Sequence, residues 1–477
     1  MRIIGNDPSV PRQTHEVASG TLPNGKPVVV NADGTVSVVE TISDSASTGV
    51  AFNSGGADFS NITFDSNSNK VVVAYADAGN SSYGTAIVGT VSGTSITFGS
   101  EVVFKTATVS YVDLTFDSNS NKVVIAWRDN TNSGRGTAIV GTVSGDSISF
   151  GSAVVFETSE AYSEAITFDS NSNKVVIAYN IPSSTESKAV VGTVSGTSIS
   201  FGTPVQFNSS DTDGHGLVFD TSNNKIVIAY RDDGDSNKGK AKVGTVSGTS
   251  ISFGSEAEFN SGNTRKIGAT FDSNSNKVVI VYRDGGNSNY GTAIVGTISG
   301  TSISFGSGVV YDSSYVNDNQ CVFNSSANKV IVSYYDTASP AGGKIIVGTI
   351  SGTSISFDTA VTFESSSISY VNSAYDSSAD RVVVVYSQSG GNGEYTVFIT
   401  GSANLTSENY IGIARSGAAS GAGAIIDTQG AIADNLSGLT AGQSYFVQTD
   451  GTLGTTAASP SVFAGTAVSA TKLIVKG

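Results

Sequence analysis

The chain has 477 residues, 38% of them hydrophobic and 14% charged, with a formal net charge of −15. So acidic a chain lacks the clustered Lys and Arg that nucleic acid demands, and its single cysteine, Cys321, excludes a disulfide framework or a thiolate metal site. No apolar run reaches the ~20 residues of a membrane helix, and the opening MRIIGNDPSVPRQTHE holds no apolar signal core, so a soluble β-protein made in a cytoplasm is expected.

The first legible element is LPNGKPVVVNADGTV (Leu22–Val36), where Asp-Gly between alternating runs marks a hairpin. Residues 39–52 then read as one strand ending on Phe52. After it a unit of about 52 residues recurs seven times, its basic marker falling at Lys70, Lys122, Lys174, Lys225, Lys277, Lys329 and Arg381. The second copy serves as the type. SYVDLTF (Ser110–Phe116) is followed by the turn DSNSN, then KVVIAWRD (Lys122–Asp129), GTAIVGTV (Gly136–Val143), the turn SGDS, and ISFGSAVVF (Ile148–Phe156). Second runs are apolar at consecutive positions and should be covered on both faces, whereas fourth runs alternate like outer strands.

Four short antiparallel strands per unit describe a β-propeller blade. Helical solenoids need amphipathic helices that this text lacks, and separate sandwiches need longer modules. The aromatic that ends the fourth strand already occurs at Phe52, before the first basic marker, whereas the seventh copy supplies only three strands. The expected fold is therefore all-β. It is a seven-bladed β-propeller of four-stranded blades over 39–401, closed 3+1 by the N-terminal strand, which removes a free sheet edge.

The text after the ring matches the text before it. LTAGQSYFVQTDGTL (Leu439–Leu453) aligns without gaps to Leu22–Val36, and ENYIGIARSGA (Glu408–Ala418) resembles SVFAGTAVSATKLIV (Ser461–Val475). One small, internally duplicated β-barrel-like domain is expected from 1–38 and 402–477, with the propeller inserted between its halves.

Few residues suggest chemistry. The DSNSN turns open like a calcium loop but lack its later Gly and Glu, so local capping by Asp and Asn is the plainer reading and no metal or cofactor is assigned. The aromatic of the second strand occurs in all seven copies, from Tyr75 and Trp127 to Tyr386. That uniformity favours packing between blades over sugar stacking. Arg128, Arg231 and Arg283 are each followed by Asp, which reads as a salt bridge between strand ends more readily than as a carboxylate clamp. Histidine occurs only at His15 and His215, so no Ser–His–Asp or zinc-protease arrangement can form, and a non-enzymatic chain is expected. Cys321 occupies a register of small aliphatic residues and should be buried.

Binding is sought where the copies diverge, on the face made by links between blades and between second and third strands. The candidate ligand-binding residues are Tyr111, Arg128, Arg135, Tyr162, His215, Arg231, Arg283, Tyr290, Tyr315 and Tyr370, with Lys266 on the same face. The repeat resembles Tyr/Gly-rich repeats of proteins from aquatic bacteria and their tailed phages. The terminal segments ASGTLPNGKPVVVNADGTV, ENYIGIA and GQSYFVQTDGTL resemble small β-barrel modules of phage virion decoration and fibre proteins. That resemblance implies a virion-surface protein anchored to other virion proteins by its terminal domain, with the propeller displayed to a host-surface glycan or protein. A homo-oligomer would suit such display. A bacterial surface or secreted adhesin and a glycan-cleaving enzyme are the alternatives.

Overall fold

A computed structural model of the chain describes residues 12–31, 33–40, 43–401, 404–458 and 460–476. The chain divides into two compact units, 45–400 and a second built from 1–44 with 401–477. Both are all-β with antiparallel sheets, and the larger unit is propeller-like. Among the described residues no helix is long and apolar enough to cross a membrane.

In the larger unit each copy forms a sheet in which first, second and third strands pair in order. In the fourth copy these are Thr212–Asp220, Lys225–Asp232 and Lys238–Ser247. The fourth strand differs from the expected single run. It is broken into two short segments, Ser250–Phe253 and Ala257–Asn260, that pair with the third strand on either side of a slip in register. The break falls at the Phe-Gly step, because Gly254 packs under the neighbouring copy's turn, where a Cβ would lie 1.9 Å from the Thr301 carbonyl oxygen. Twice the outer segment runs unbroken into the next first strand, as Val102–Asp117 and Val309–Asn324, joining two copies into one nine-stranded sheet.

The core lies between copies. Second-strand residues alternate between two interfaces: Val123 and Ile125 pack towards the first copy, Val124 and Ala126 towards the third. This accounts for the consecutive apolar run. At every interface the aromatic ending one fourth strand meets the second-strand aromatic of the following copy, from Phe104–Trp127 at 5.1 Å to Phe363–Tyr386 at 5.1 Å between ring centroids. Phe52 makes the same contact with Tyr75 at 5.4 Å. The second-strand aromatics are buried, as their uniformity implies, and several hydroxyls donate to inward carboxylates, such as Tyr230 to Glu256 at 2.6 Å. Cys321 is buried in the same layer.

Successive first strands lie against one another, and the last, Ile368–Asp376, lies against the first, Ala57–Asp65. Ser45–Ala46 and Val50–Asn53 pair with Gly393–Ile399, the third strand of the seventh copy. Of the strand expected over 39–52, residues 41 and 42 lie outside the described residues.

The smaller unit contains two five-stranded sheets with equivalent order. The first is Gln13–Val17, Gly423–Asp427, Tyr410–Ala414, Pro27–Val30 and Val36–Val38. The second is Ile432–Ala433, Lys472–Val475, Val462–Ser469, Ser444–Val447 and Leu453–Gly454. Strands fall in matching places, and the Asp-Gly turns are held alike. Asp33 Oδ1 accepts the Thr35 amide at 2.9 Å and Asp450 Oδ1 accepts the Thr452 amide at 2.9 Å. The first sheet curls back on itself through a parallel bridge between Ala18 and Val36. Its chain is interrupted between Val38 and Tyr410, where the second sheet has the short link from Leu453 to Val462.

The aromatic contact between copies sets a steric condition on the third strand. A Cβ at Gly136 would lie 2.4 Å from the Phe156 ring, and Gly84, Gly239 and Gly291 meet their aromatics at the same 2.4 Å. Gly136→Val is therefore expected to cost about 1–3 kcal/mol through overpacking, read as a lowered midpoint in thermal or urea denaturation. An unchanged midpoint would mean that the ring can move aside freely.

Candidate functional site

Each first strand is interrupted near its start by a one-residue bulge. In the first copy Asp58 pairs with Ala76, but Asn61, three residues on, pairs with Ala74. The extra residue takes the left-handed conformation at Phe59, Tyr111, Lys266 and Tyr370, with φ between 51° and 54°, and at Gly214 with φ 61°. Such backbone is strained for non-glycine residues and turns their side chains out of the alternation. All five line a single cavity.

The resulting cavity is about 250 Å³. One wall is aromatic: the Phe59 ring lies 4.9 Å from Tyr370 and 5.3 Å from Tyr111, and Tyr162 extends the row at 5.4 Å from Tyr111. Opposite stand His215 and Lys266, whose Nζ is 3.4 Å from Asp318 Oδ1. His215 Nε2 is 2.6 Å from the Thr212 hydroxyl. The floor is polar, with Asn61, Asp113, Gln320 and Asn372 at one register of successive first strands. Their side chains link sideways: Asn61 Nδ2 donates to Asp113 Oδ1 at 2.6 Å, and Gln320 Nε2 to Asn372 Oδ1 at 3.3 Å. Asp113 also accepts the Leu114 and Ile166 amides at 2.7 and 3.0 Å.

Of the residues singled out in the sequence, Tyr111, His215 and Tyr370 line this cavity, as does Lys266. Tyr162 joins its aromatic wall from one side. The others do not line it. Arg128, Arg231 and Arg283 stand one strand further out, and none bridges to the aspartate that follows it. Arg128 donates to Glu160 and Asn130 and lies over the Tyr162 ring, 4.5 Å from its centroid. Arg231 pairs with Asp213 and Asp233. Arg283 lies 4.9 Å from the centroid of Tyr315, which is exposed. The salt bridge expected within each Arg-Asp pair does not form, because successive strand residues point to opposite faces of the sheet. Arg135 donates to the Thr158 carbonyl at 3.2 Å, and Tyr290 stands opposite Tyr315 in register, away from the cavity.

Sequence reading missed Phe59, Asn61, Asp113, Asp318, Gln320 and Asn372. Divergence was sought in links, whereas these residues lie within first strands. The available signal was the polar character of one register, held by Asn61, Asp113, Gln320 and Asn372 in four copies and by Ala165, Gly216 and Gly268 in the other three. The DSNSN turns behave as caps: Asp117 Oδ1 accepts the Asn119 and Ser120 amides at 2.9 and 3.0 Å, and the other copies repeat this. Among the described residues no group of three or more His, Cys, Asp or Glu side chains is placed to hold a metal ion.

Burial pushes the Asp113 carboxyl up to about 7, against the pull of its three hydrogen bonds. A carboxyl near 4 when unfolded and near 7 when folded holds its proton better in the native state. Its contribution to stability is thus complete below about pH 4 and lost as pH rises to about 7. Comparing urea midpoints at pH 4.5 and pH 8, the stability of Asp113→Asn relative to wild type should improve by on the order of 2 kcal/mol. A pH-independent difference would show that Asp113 is charged throughout.

No family model and no curated protein matches the chain. Among solved structures, the BP39L lectin from Burkholderia pseudomallei aligns over 74% of this chain and 98% of its own, at 10% identity and a TM-score of 0.55. A protein of unknown function from Dyadobacter fermentans aligns over 76% of this chain and 98% of its own, at 11% identity and a TM-score of 0.45. AofleA from Arthrobotrys oligospora aligns over 72% and 97%, at 10% identity and a TM-score of 0.44. Identity so low speaks to fold alone, and the all-β antiparallel architecture is consistent with a propeller-like fold similar to that of the BP39L lectin.

Proposed function

We propose that the 45–400 unit is a seven-bladed β-propeller, closed 3+1 by the strand at 45–53, and that it is a non-enzymatic saccharide-binding module. The observation that carries this reading is the cavity at the channel mouth, with an aromatic wall of Phe59, Tyr111 and Tyr370 above a floor of amides and one carboxylate. Aromatic faces stack on the C–H faces of sugar rings, while Asn, Gln and Asp side chains exchange hydrogen bonds with hydroxyls. The lectin among the structural neighbours is compatible with it. The non-enzymatic reading is supported by the two cavity carboxylates, both already engaged by main-chain amides: Asp113 by two, and Asp318 by Val371 at 3.1 Å.

The wider role is display on a virion surface, with the terminal unit as the anchor to other virion proteins. This part rests on the resemblance of the terminal segments to phage decoration and fibre modules. Peptide mass spectrometry of purified virions should detect the chain, and its consistent absence would remove this part of the reading while leaving the binding module untouched.

Binding is tested on a glycan array followed by calorimetry. Tyr370→Ala should weaken affinity for the best saccharide about tenfold, and Tyr370→Phe should retain it. Circular dichroism confirms that the variants are folded. A folded Tyr370→Ala protein with undiminished affinity would place binding elsewhere, and an array without hits would remove the saccharide reading.

A further inference from the structure

The chain places arginine at the end of the second strand in three copies, and it neutralises only two of them. Arg231 Nε and Nη2 donate to the Asp233 carboxylate at 2.6 and 3.0 Å, and its Nη1 lies 3.1 Å from Asp213 on the facing strand. Arg128 is paired with Glu160. In the fifth copy the positions of Asp213, Asp233 and Glu160 are held by Arg265, Gly285 and Tyr315.

Arg283 therefore has no ion-pair partner among the described residues, and the nearby Asp318 is paired with Lys266. Arg283 is 7% exposed, its Nε is buried without a partner, and its Nη1 donates to two neutral acceptors, the Tyr315 hydroxyl at 2.8 Å and Asn317 Oδ1 at 3.2 Å. Arg265 stands directly opposite it in the antiparallel register. Like charges across a strand pair repel, and a buried guanidinium without a counter-ion is costly. Burial pushes the Arg283 guanidinium down from its ordinary range, and repulsion from Arg265 and Arg231 adds to this against the opposing influence of Tyr315 and Asp318. Among the described residues neither Arg265 nor Arg283 has a carboxylate within ion-pair distance. The chain carries a net −15, yet none of the described carboxylates pairs with either arginine.

We propose that Arg265 and Arg283 form an anion subsite for the carboxylate of an acidic saccharide. The inference rests on the saccharide-binding reading and specifies its ligand class. Lys266, the next residue, lines the mouth cavity across from its aromatic wall, so a uronic acid held by the two guanidiniums would adjoin the cationic side of that cavity. A planar carboxylate offers two oxygens to two planar donors and supplies the charge that Asp213 and Asp233 supply to Arg231.

Calorimetry on the full chain compares a tetramer of galacturonic acid, the same tetramer with its carboxyls methyl-esterified, and inorganic sulfate. The acid tetramer should bind about tenfold more tightly than the ester, with affinity falling as salt rises. Arg265→Asp restores the arrangement of the fourth copy. It should abolish the preference for acid over ester while raising the melting temperature, because Arg283 gains an internal partner. Equal affinity for acid and ester, or a preference that survives Arg265→Asp, overturns the subsite. Sulfate binding as tight as that of the acid tetramer overturns the saccharide assignment. If neutral array ligands still bind in a Tyr370-dependent way, the failure belongs to the subsite alone. If no saccharide of either kind binds, it belongs to the reading beneath it.

Discussion

The larger unit depends on one contact, the aromatic that closes one fourth strand lodged against the second-strand aromatic of the following copy. A four-stranded sheet with two apolar faces cannot stand alone in water, so each copy is stable only through its neighbours. The ring pairs contribute about 0.5–1.5 kcal/mol each beyond their buried area, and they also fix register. The glycine beneath the ring in most copies lets the third strand pass within contact distance, and Ser187 is the exception. The same constraint acts at the Phe-Gly step that breaks the fourth strand. The sixth copy has Asp358 where five others have glycine, and its following copy has no turn between third and fourth strands, because the chain leaves there.

On this rigid frame the bulge in the first strand creates the mouth. A regular strand would keep its alternation of side chains to the end. One extra residue per strand instead presents Phe59, Tyr111, Lys266 and Tyr370 in left-handed backbone, a strain the surrounding sheets sustain. Uniform packing and individual mouth residues are thus two uses of one repeat, the first set by second and third strands, the second by the bulge.

Much of the fold was legible in the sequence because its period is written in residues that pack. The basic marker, the second-strand aromatics and the early Phe52 give the strand order, and the match of Leu22–Val36 with Leu439–Leu453 gives equivalent hairpins in the smaller unit. The site was legible only in part. Tyr111, His215 and Tyr370 stood out as divergent, but Asn61 and Asp113 sit inside strands that look uniform. A bulge has no fixed sequence mark, since its extra residue ranges from Phe to Gly to Lys. The partners of the arginines were illegible for another reason: they come from the facing strand and the loop, so adjacency in sequence named the wrong aspartates.

Two sheets join strands that the chain separates by several hundred residues. Gln13–Val17 pairs with Gly423–Asp427, and Val50–Asn53 with Gly393–Ile399. Every sheet from the first copy to the sixth can form from consecutive residues as they leave the ribosome. The sheet of the seventh copy and the first sheet of the smaller unit must wait for strands made near the end of synthesis. During that interval the early strands expose unpaired backbone edges, which are open to pairing with another nascent chain. Translation of the last hundred residues is therefore the step at which correct self-pairing competes with exchange between molecules, and both seams are decided together.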